Sequence, residues 1–548
     1  MKRQQQSGLR FQPARGVQQT DFPVGKKQPL SIERLAHDGR GIAFHAGRTW
    51  VVSGAMPGEQ VVARVLSVRN KIIEAQVVEV QQACSNRQQP FCAVAGRCGG
   101  CTLQHMPINE QREFKQAYIA EQMQRAGVEV GEWFATLQGS EQGYRRRTRI
   151  AVKPNKQGQL QVGFRALASQ QIVETTQCPI LVEPLQKLYA ELVPFIKTLK
   201  QTRAIGHLEL FYGNQPALLV RLTQALNNED QQRLRDFCQQ QHTQLWWQTQ
   251  AEPYPDNEGD TLYYELQPYD LQIDYQPGDF VQVNAEVNLA MVQQALAWLD
   301  LHSDDQVLDL FCGLGNFSLP MARTVASVVA VECVESMVKR AQHTAKRQGF
   351  QHLEFHHFDL SQPLSQAAWM QQKFSAVVLD PPREGATQAV EQLTKVAAKK
   401  ILYVSCNPAT LARDAAVLQA QGYQLQRLAA LDMFSQTGHV EAMALFVRQS
   451  LSRYLGKPMV QVRSQHPLNA DGSIDLPRWV AHLLEVDEDL NAANLLQACE
   501  FARDAELKAH AAQNIWPDGS SSLQAGLEIA QILVDLKLDE ETLIAAIW

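Results

Sequence analysis

The sequence predicts a multidomain protein. It reads as a small N-terminal β-barrel, an α+β central region, a doubly wound α/β domain with a mostly parallel sheet, and a helical tail. Three observations carry this. The chain has 548 residues, 45% of them hydrophobic, which is more than one core can organise. Between residues 28 and 80, short β-rich runs alternate with Gly and Pro turns at the spacing of a closed barrel. After Gly278, apolar strand runs alternate with helical stretches, which is the pattern of a parallel sheet covered on both faces.

Taken in order, residues 1–27 form a basic arm in which six Lys or Arg face a single acid, Asp21. Residues 28–82 divide into five strands, LSIERLA, GIAFHA, TWVVSG, EQVVARVLSV and IIEAQVVEV, with Gly39, Gly41, Gly47, Pro57 and Gly58 at the turns. Residues 83–270 hold grouped cysteines, an amphipathic stretch from Asn109 to Gly127, and the β-rich segments RTRIAVKP and HLELFYG. The run Tyr144-Arg145-Arg146-Arg147-Thr148-Arg149 sets a basic cluster beside an aromatic, and this cluster and the arm both offer phosphate contacts or a solvated edge. Residues 271–449 supply QVLDLFC, SVVAVEC, SAVVLD and ILYVSC as strands, with helices such as MVKRAQHTAKRQG between them. Residues 450–548 are acidic, and LEIAQILVDLKLDEETLIAAI has helical apolar spacing.

Composition excludes several classes. No run approaches the length of a membrane span, and the basic N-terminus lacks an apolar segment behind it, so a cytoplasmic protein is expected. Ten cysteines in so long a chain are too sparse for a disulfide scaffold, and their grouping points to metal binding or catalysis.

The strand QVLDLFC runs into Gly313-Leu314-Gly315-Asn316-Phe317-Ser318, and the next strand ends at Glu332. A glycine turn lets a ligand approach the backbone, and an acid at the following strand end accepts hydrogen bonds from ribose hydroxyls. Dinucleotide and S-adenosylmethionine sites share this logic. Here Ser318 stands where a dinucleotide site has its third glycine, and Asp309 lies inside the strand before the turn, which together favour S-adenosylmethionine. A further acid, Asp359, follows the next strand, LEFHHFD, where an adenine contact is expected.

Two later strands end in chemistry. One stops at Asp380-Pro381-Pro382-Arg383, where Arg383 replaces the aromatic that stacks on a base in amine methylation. The other stops at Cys406-Asn407-Pro408. Asn407 suits an N-cap and Pro408 a first helical turn, so Cys406 is expected at a helix mouth whose partial positive charge favours thiolate. Carbon-5 of a pyrimidine accepts a methyl group once a thiolate has added to carbon-6, and a base must then remove the carbon-5 proton. Glu441, entering the apolar strand AMALFV, is the candidate base; a structural ion pair is the alternative.

Cys92, Cys98, Cys101 and Cys178 supply four thiols, with Gly99-Gly100 between the close pair. Four such ligands hold either tetrahedral zinc or an iron–sulfur cluster, and the lack of a second C-x-x-C knuckle leans toward the cluster.

Together, Phe280-Val281-Gln282-Val283-Asn284, Asp309 to Asn316, Asp380 to Arg383, Ser405 to Pro408 and His439-Val440-Glu441 resemble the RNA uracil-5 methyltransferase family. The barrel segment resembles the TRAM domain, an OB-like RNA-binding module, and the α/β domain a class I Rossmann-like methyltransferase. The resemblance implies that Gln282, Phe311, Asn316, Glu332, Asp359 and Asp380 contact S-adenosyl-L-methionine, that Cys406 is the nucleophile and that Glu441 is the base. It implies a [4Fe-4S] cluster on Cys92, Cys98, Cys101 and Cys178, as in a ribosomal-RNA branch of the family. The implied partner is 23S ribosomal RNA, with neither membrane nor DNA. This resemblance stops near Gln449. From Met459 the tail is similar to the opening of RelA-type alarmone synthetases, and none of that activity transfers because no nucleotide-binding region of that family follows.

Overall fold

The computed structural model describes residues 22–448, apart from 250, 251 and 397, together with Val480. The basic arm up to residue 21 and the remainder of the tail, with its RelA-like segment, lie outside the described residues. The chain forms two compact units, residues 1–449 and 450–548.

Residues 27–82 make a six-stranded sheet in the order Lys27–Ser31, Gln60–Arg69, Ile72–Gln82, Arg48–Ser53, Gly41–His45, Arg34–Leu35. The first and last of these belong to one short stretch of chain, so the sheet curls until its edges meet. The expected strand LSIERLA is therefore two strands. At Ile32 the chain leaves its partner Gln60–Arg69, and at Arg34 it pairs with Ile42. Register shifts between the two long strands supply the curvature. Trp50, Val52, Val61 and Ile73 are fully buried in the centre, as period-2 alternation requires.

A seven-stranded sheet follows, from Arg147–Pro154 to Tyr254–Pro255. Leu208, Leu210, Leu218 and Val220 face the helices Glu183–Ile196 and Asn228–Gln240. The alternate residues Phe211, Ala217, Leu219 and Trp246 face a hairpin, Leu262–Leu266 with Leu271–Tyr275, and join the core of the third sheet. This alternation divides the arginine run between the interior and the surface, with Arg149 exposed. Arg146 points inward, 7% exposed, with its guanidinium 4.7 Å from the Tyr264 ring centre. Arg147 and Arg149 both pair with the buried Glu209.

The third sheet has eight strands, ordered Leu353–His357, Ser327–Glu332, Gln306–Leu310, Ala376–Leu379, Lys400–Ser405, Glu441–Arg448, Tyr423–Leu431, Glu132–Trp133. The first five are parallel, and Glu441–Arg448 runs antiparallel to both of its neighbours. Helices Ala285–Leu299 and Glu335–Arg347 cover one face, and Pro408–Ala420 covers the other. Strand order reverses beside Gln306–Leu310, the place where an open α/β sheet holds its ligand beyond the strand ends. Helix Ile108–Arg125 also packs on this sheet through Ile119 and Met123.

Candidate active site

All eight residues expected to bind cofactor or carry the reaction line one cavity of about 850 Å³: Gln282, Phe311, Asn316, Glu332, Asp359, Asp380, Cys406 and Glu441. Gln282 comes from the loop before helix Ala285–Leu299, and the others lie at or just beyond strand ends of the third sheet. Phe311, the first residue after Gln306–Leu310, has φ +62°, a strained conformation for a bulky side chain, and it begins the turn that bears Gly313 and Gly315. At Gly315, φ is +90° and an added Cβ would lie 3.0 Å from the Phe355 ring, so no larger residue fits. Asp309 lies behind this turn, off the cavity wall, with one oxygen bonded to Ser318 and the other unpartnered.

Glu332 accepts hydrogen bonds from the backbone N–H groups of Gly313 (3.1 Å), Cys333 (2.8 Å) and Val334 (2.9 Å). These fix its carboxylate at the rim, where ribose hydroxyls are expected. Asn316 forms a reciprocal pair with Asn288 and accepts from the Tyr264 hydroxyl at 3.1 Å. Gln282 is held from behind by the Arg146 guanidinium, which donates to its backbone oxygen. Asp359 is exposed, and its carboxylate accepts from Ser361 N at 2.9 Å.

Cys406 follows the strand Lys400–Ser405, and Asn407 caps the next helix by accepting from Ala409 N at 3.1 Å. The helix mouth is as expected, but burial and nearby acids act on the thiol in the opposite direction. Burial, with Glu441 and Asp380 facing it, pushes the Cys406 thiol up to about 11. Burial is the largest cause, and the two carboxyls add to it. Burial lifts Asp380 to about 7, and burial together with Asp380 lifts Glu441 to about 8. Arg383, in the same lining, opposes these shifts at Cys406 and Glu441.

The loop Asp380–Gly385 rests on the helix that follows Cys406. The Arg383 carbonyl accepts from Asn407 Nδ2 (3.0 Å) and Thr410 Oγ1 (3.3 Å), while buried Asp414 accepts from Ala386 N (2.8 Å) and the Tyr403 hydroxyl (2.7 Å). Sequence reasoning missed Phe434 and Tyr264, which also line the cavity, and Lys115 with Asp432 behind it. Nothing local marks them, because their neighbours come from distant parts of the chain.

Cys92, Cys98, Cys101 and Cys178 line a second cavity of about 670 Å³ and are free thiols. Burial and mutual repulsion raise Cys101 to about 11 and Cys178 to about 12. Among the described residues, no three His, Cys, Asp or Glu side chains are grouped to hold a metal ion. The four thiols therefore share one cavity without being drawn together as ligands of a single ion. Among the described residues, no helix is long and apolar enough to cross a membrane.

Comparison with known proteins follows the same lines. The family described as tRNA (Uracil-5-)-methyltransferase matches residues 109–449, and the TRAM domain matches residues 22–78. The chain is 53% identical over 447 residues to the 23S rRNA (uracil(1939)-C(5))-methyltransferase RlmD of Pseudomonas putida, covering 81% of this chain and 99% of that relative. The protein of the same name from Pseudomonas aeruginosa is 53% identical over 441 residues, covering 80% of this chain and 98% of the relative. The Pyrococcus abyssi tRNA (uracil-54, C5)-methyltransferase, solved with S-adenosyl-L-homocysteine, shares the fold. Its TM-score is 0.60 at 22% identity, covering 76% of this chain and 99% of that one. By sequence relatedness over most of its length, and with a glycine turn, a DPPR loop and a cysteine facing one cavity, the chain belongs to the RNA uracil-5 methyltransferase family.

Proposed function

We propose that the protein methylates carbon-5 of uridine 1939 in 23S ribosomal RNA, using S-adenosyl-L-methionine, as the names of its relatives state for them. The observation that carries the reading is the shared cavity, which sets Cys406 and Glu441 against the residues suited to the cofactor. When bound, the cofactor supplies an electrophilic methyl group on a cationic sulfur. Gln282, Phe311, Asn316, Glu332, Asp359 and Asp380 would hold it.

The chain's own residues do the rest. Cys406 Sγ gives its proton to solvent water and adds as thiolate to carbon-6 of the flipped uracil, giving carbon-5 the electron density to accept a methyl group, whose former bonding pair would stay with the cofactor sulfur. Glu441, as a carboxylate, then takes the carbon-5 proton; the electrons of that C–H bond restore the 5,6 double bond and Cys406 leaves as thiolate. Arg383 stands at the rim beside His439, with Nη2 3.4 Å from Nδ1, and adds a cation opposite the acids. The test is methyl transfer from labelled cofactor to ribosomal RNA lacking the modification, with the product nucleotide mapped. Label at uridine 1939 is expected. Label on transfer RNA alone would replace the substrate while leaving the chemistry.

We further propose that Cys92, Cys98, Cys101 and Cys178 hold a [4Fe-4S] cluster. Support comes from the donor set: four reduced thiols line one cavity, Cys98, Cys101 and Cys178 are raised by burial and then by neighbouring cysteines, and thiolate ligation to iron relieves that crowding. Methyl transfer needs no electron, so the cluster's part is to fix the fold of the central region, residues 83–270, next to the methyltransferase region, residues 271–449. The barrel, residues 28–82, and the arm would grip RNA through phosphates and stacking, and the setting would be the cytoplasm. Expression with and without iron, compared by visible absorbance and RNA affinity, checks this; full RNA affinity in a folded, cluster-free protein would contradict it.

A further inference from the structure

The loop that carries the proposed base, residues 432–441, is fastened by three other parts of the chain. From the helix Ile108–Arg125, buried Lys115 and Arg112 pair with Asp432 at 2.7 and 3.0 Å, and Gln111 exchanges hydrogen bonds with Gln436. From the cysteine segment, Thr102 N and Leu103 N both donate to the Gln436 carbonyl. The third contact comes from the N-terminal barrel. A Cβ added to Gly438 would lie 2.0 Å from the Asp38 carbonyl oxygen and 2.6 Å from its carbon, so backbone meets backbone with no room for a side chain. Gly438 does not have the left-handed φ that other glycines of the chain adopt, so the close approach, and not its own conformation, is what requires glycine.

The barrel turn behind that contact is stiff. Ala36 N donates to Arg40 O at 2.7 Å, Gly39 N donates to Ala36 O at 2.9 Å, and the Arg40 guanidinium pairs with the Asp38 carboxylate at 2.7 Å. Gly39 in turn sits on Leu103, where an added Cβ would come within 2.7 Å of its side chain. The turn therefore abuts both the base loop and the segment that fastens it.

We propose that the barrel turn Ala36–Arg40 is a positioning element of methyl transfer: by seating Asp38 on Gly438 it sets the loop that presents His439 and Glu441 to the uracil. The inference rests on the base role given to Glu441 above. It assigns the barrel a part in proton removal in addition to any hold on RNA.

The test uses the full-length holoenzyme with unmodified ribosomal RNA and compares the parent, Glu441→Gln and Gly438→Ala. A displaced base slows release of the enzyme from its RNA adduct more than formation of that adduct. Gly438→Ala is expected to lower kcat by about tenfold or more, since small misplacements carry large kinetic penalties. The KM values for RNA and cofactor should stay within about twofold, and covalent protein–RNA adduct should accumulate as in Glu441→Gln. A barrel that only grips RNA would instead raise KM, with adduct and turnover falling together. Turnover within about twofold of the parent, or reduced turnover without added adduct, overturns the proposal. Should Gly438→Ala fold poorly by its melting temperature, Asp38→Gly decides: it frees the turn from Arg40 and should show a smaller adduct excess, whose absence counts against the idea. A parent enzyme that makes no 5-methyluridine would instead refute the proposed function, whatever the Gly438 variant does.

Discussion

The two large cavities of residues 22–448 crowd titratable groups together in contrasting ways. The first gathers carboxyls and three thiols, Cys312, Cys333 and Cys406, at the ends of neighbouring strands, so the sheet's topology places them whether or not anything is bound. The second gathers four thiols from an irregular segment and a distant loop. That segment is tied down by a few backbone bonds, such as Gly99 N to Arg165 O at 2.9 Å and Leu167 N to Arg97 O at 2.9 Å. A site built on strand ends is preformed, whereas one built on loops depends on what it binds. The first cavity is therefore suited to chemistry on a changing occupant and the second to a permanent one.

Breaking the first cavity should have the larger effect. Cys406→Ala should lower turnover by about 10⁴-fold or more, since the nucleophile is removed while the fold and cofactor affinity remain. Retained turnover would show that the strand-end thiol is only a small core residue. Glu441→Gln should cost about 10²- to 10⁴-fold, with a methylated RNA adduct left on the protein. Rapid release of free product would instead make Glu441 a structural acid.

Breaking the second cavity should act on stability and RNA affinity before chemistry. Cys178→Ser should remove visible absorbance and weaken RNA binding, while any folded remainder keeps methyl transfer to short RNA. Loss of chemistry at unchanged stability and affinity would tie the thiols to the reaction itself.

Acidity offers a gentler probe. Asp309 and Asp380 are raised to about 7 and Glu441 to about 8, chiefly by burial, against about 4 for free carboxyls. The folded state thus holds protons that the unfolded chain gives up. The associated stability is complete below about pH 4 and is lost as pH climbs through 7 to 8. The melting temperature of the ligand-free enzyme should fall across that window, and Asp309→Asn should flatten the fall; a melting temperature that rises there would contradict the assignment. The smallest effect belongs to Asp359, exposed at the rim, where Asp359→Asn should raise the cofactor KM by only about two- to fivefold, and a loss as large as that of Cys406→Ala would place it deeper in the mechanism.

The same contrast explains what the sequence disclosed. Strand-end residues were legible because each followed an apolar run into a glycine, proline or capping signal, as at Gly313, Pro381 and Asn407. The alternation of apolar runs likewise disclosed the parallel sheet. What escaped depends on contacts across the chain. Lys115 meets Asp432 only once helix Ile108–Arg125 packs against the sheet, and Gly438 needs its missing side chain only because Asp38 arrives from the barrel. Arg146 lay within a basic run that looked solvated, yet strand alternation turned it inward beneath Gln282. At Cys406 the helix-mouth argument could not count the burial of the thiol or the two acids contributed by other strands.

The central claim is that Cys406 bonds to carbon-6 of the target uracil. It is tested most directly by incubating the enzyme and cofactor with ribosomal RNA whose target is 5-fluorouridine, since fluorine cannot be removed by Glu441, and then weighing the intact protein and mapping the modified peptide. The expected result is a stable protein–RNA species carrying one added methyl group, attached at Cys406 and absent from Cys406→Ala. Methylated RNA with no covalent species, or the same species formed by Cys406→Ala, would contradict it.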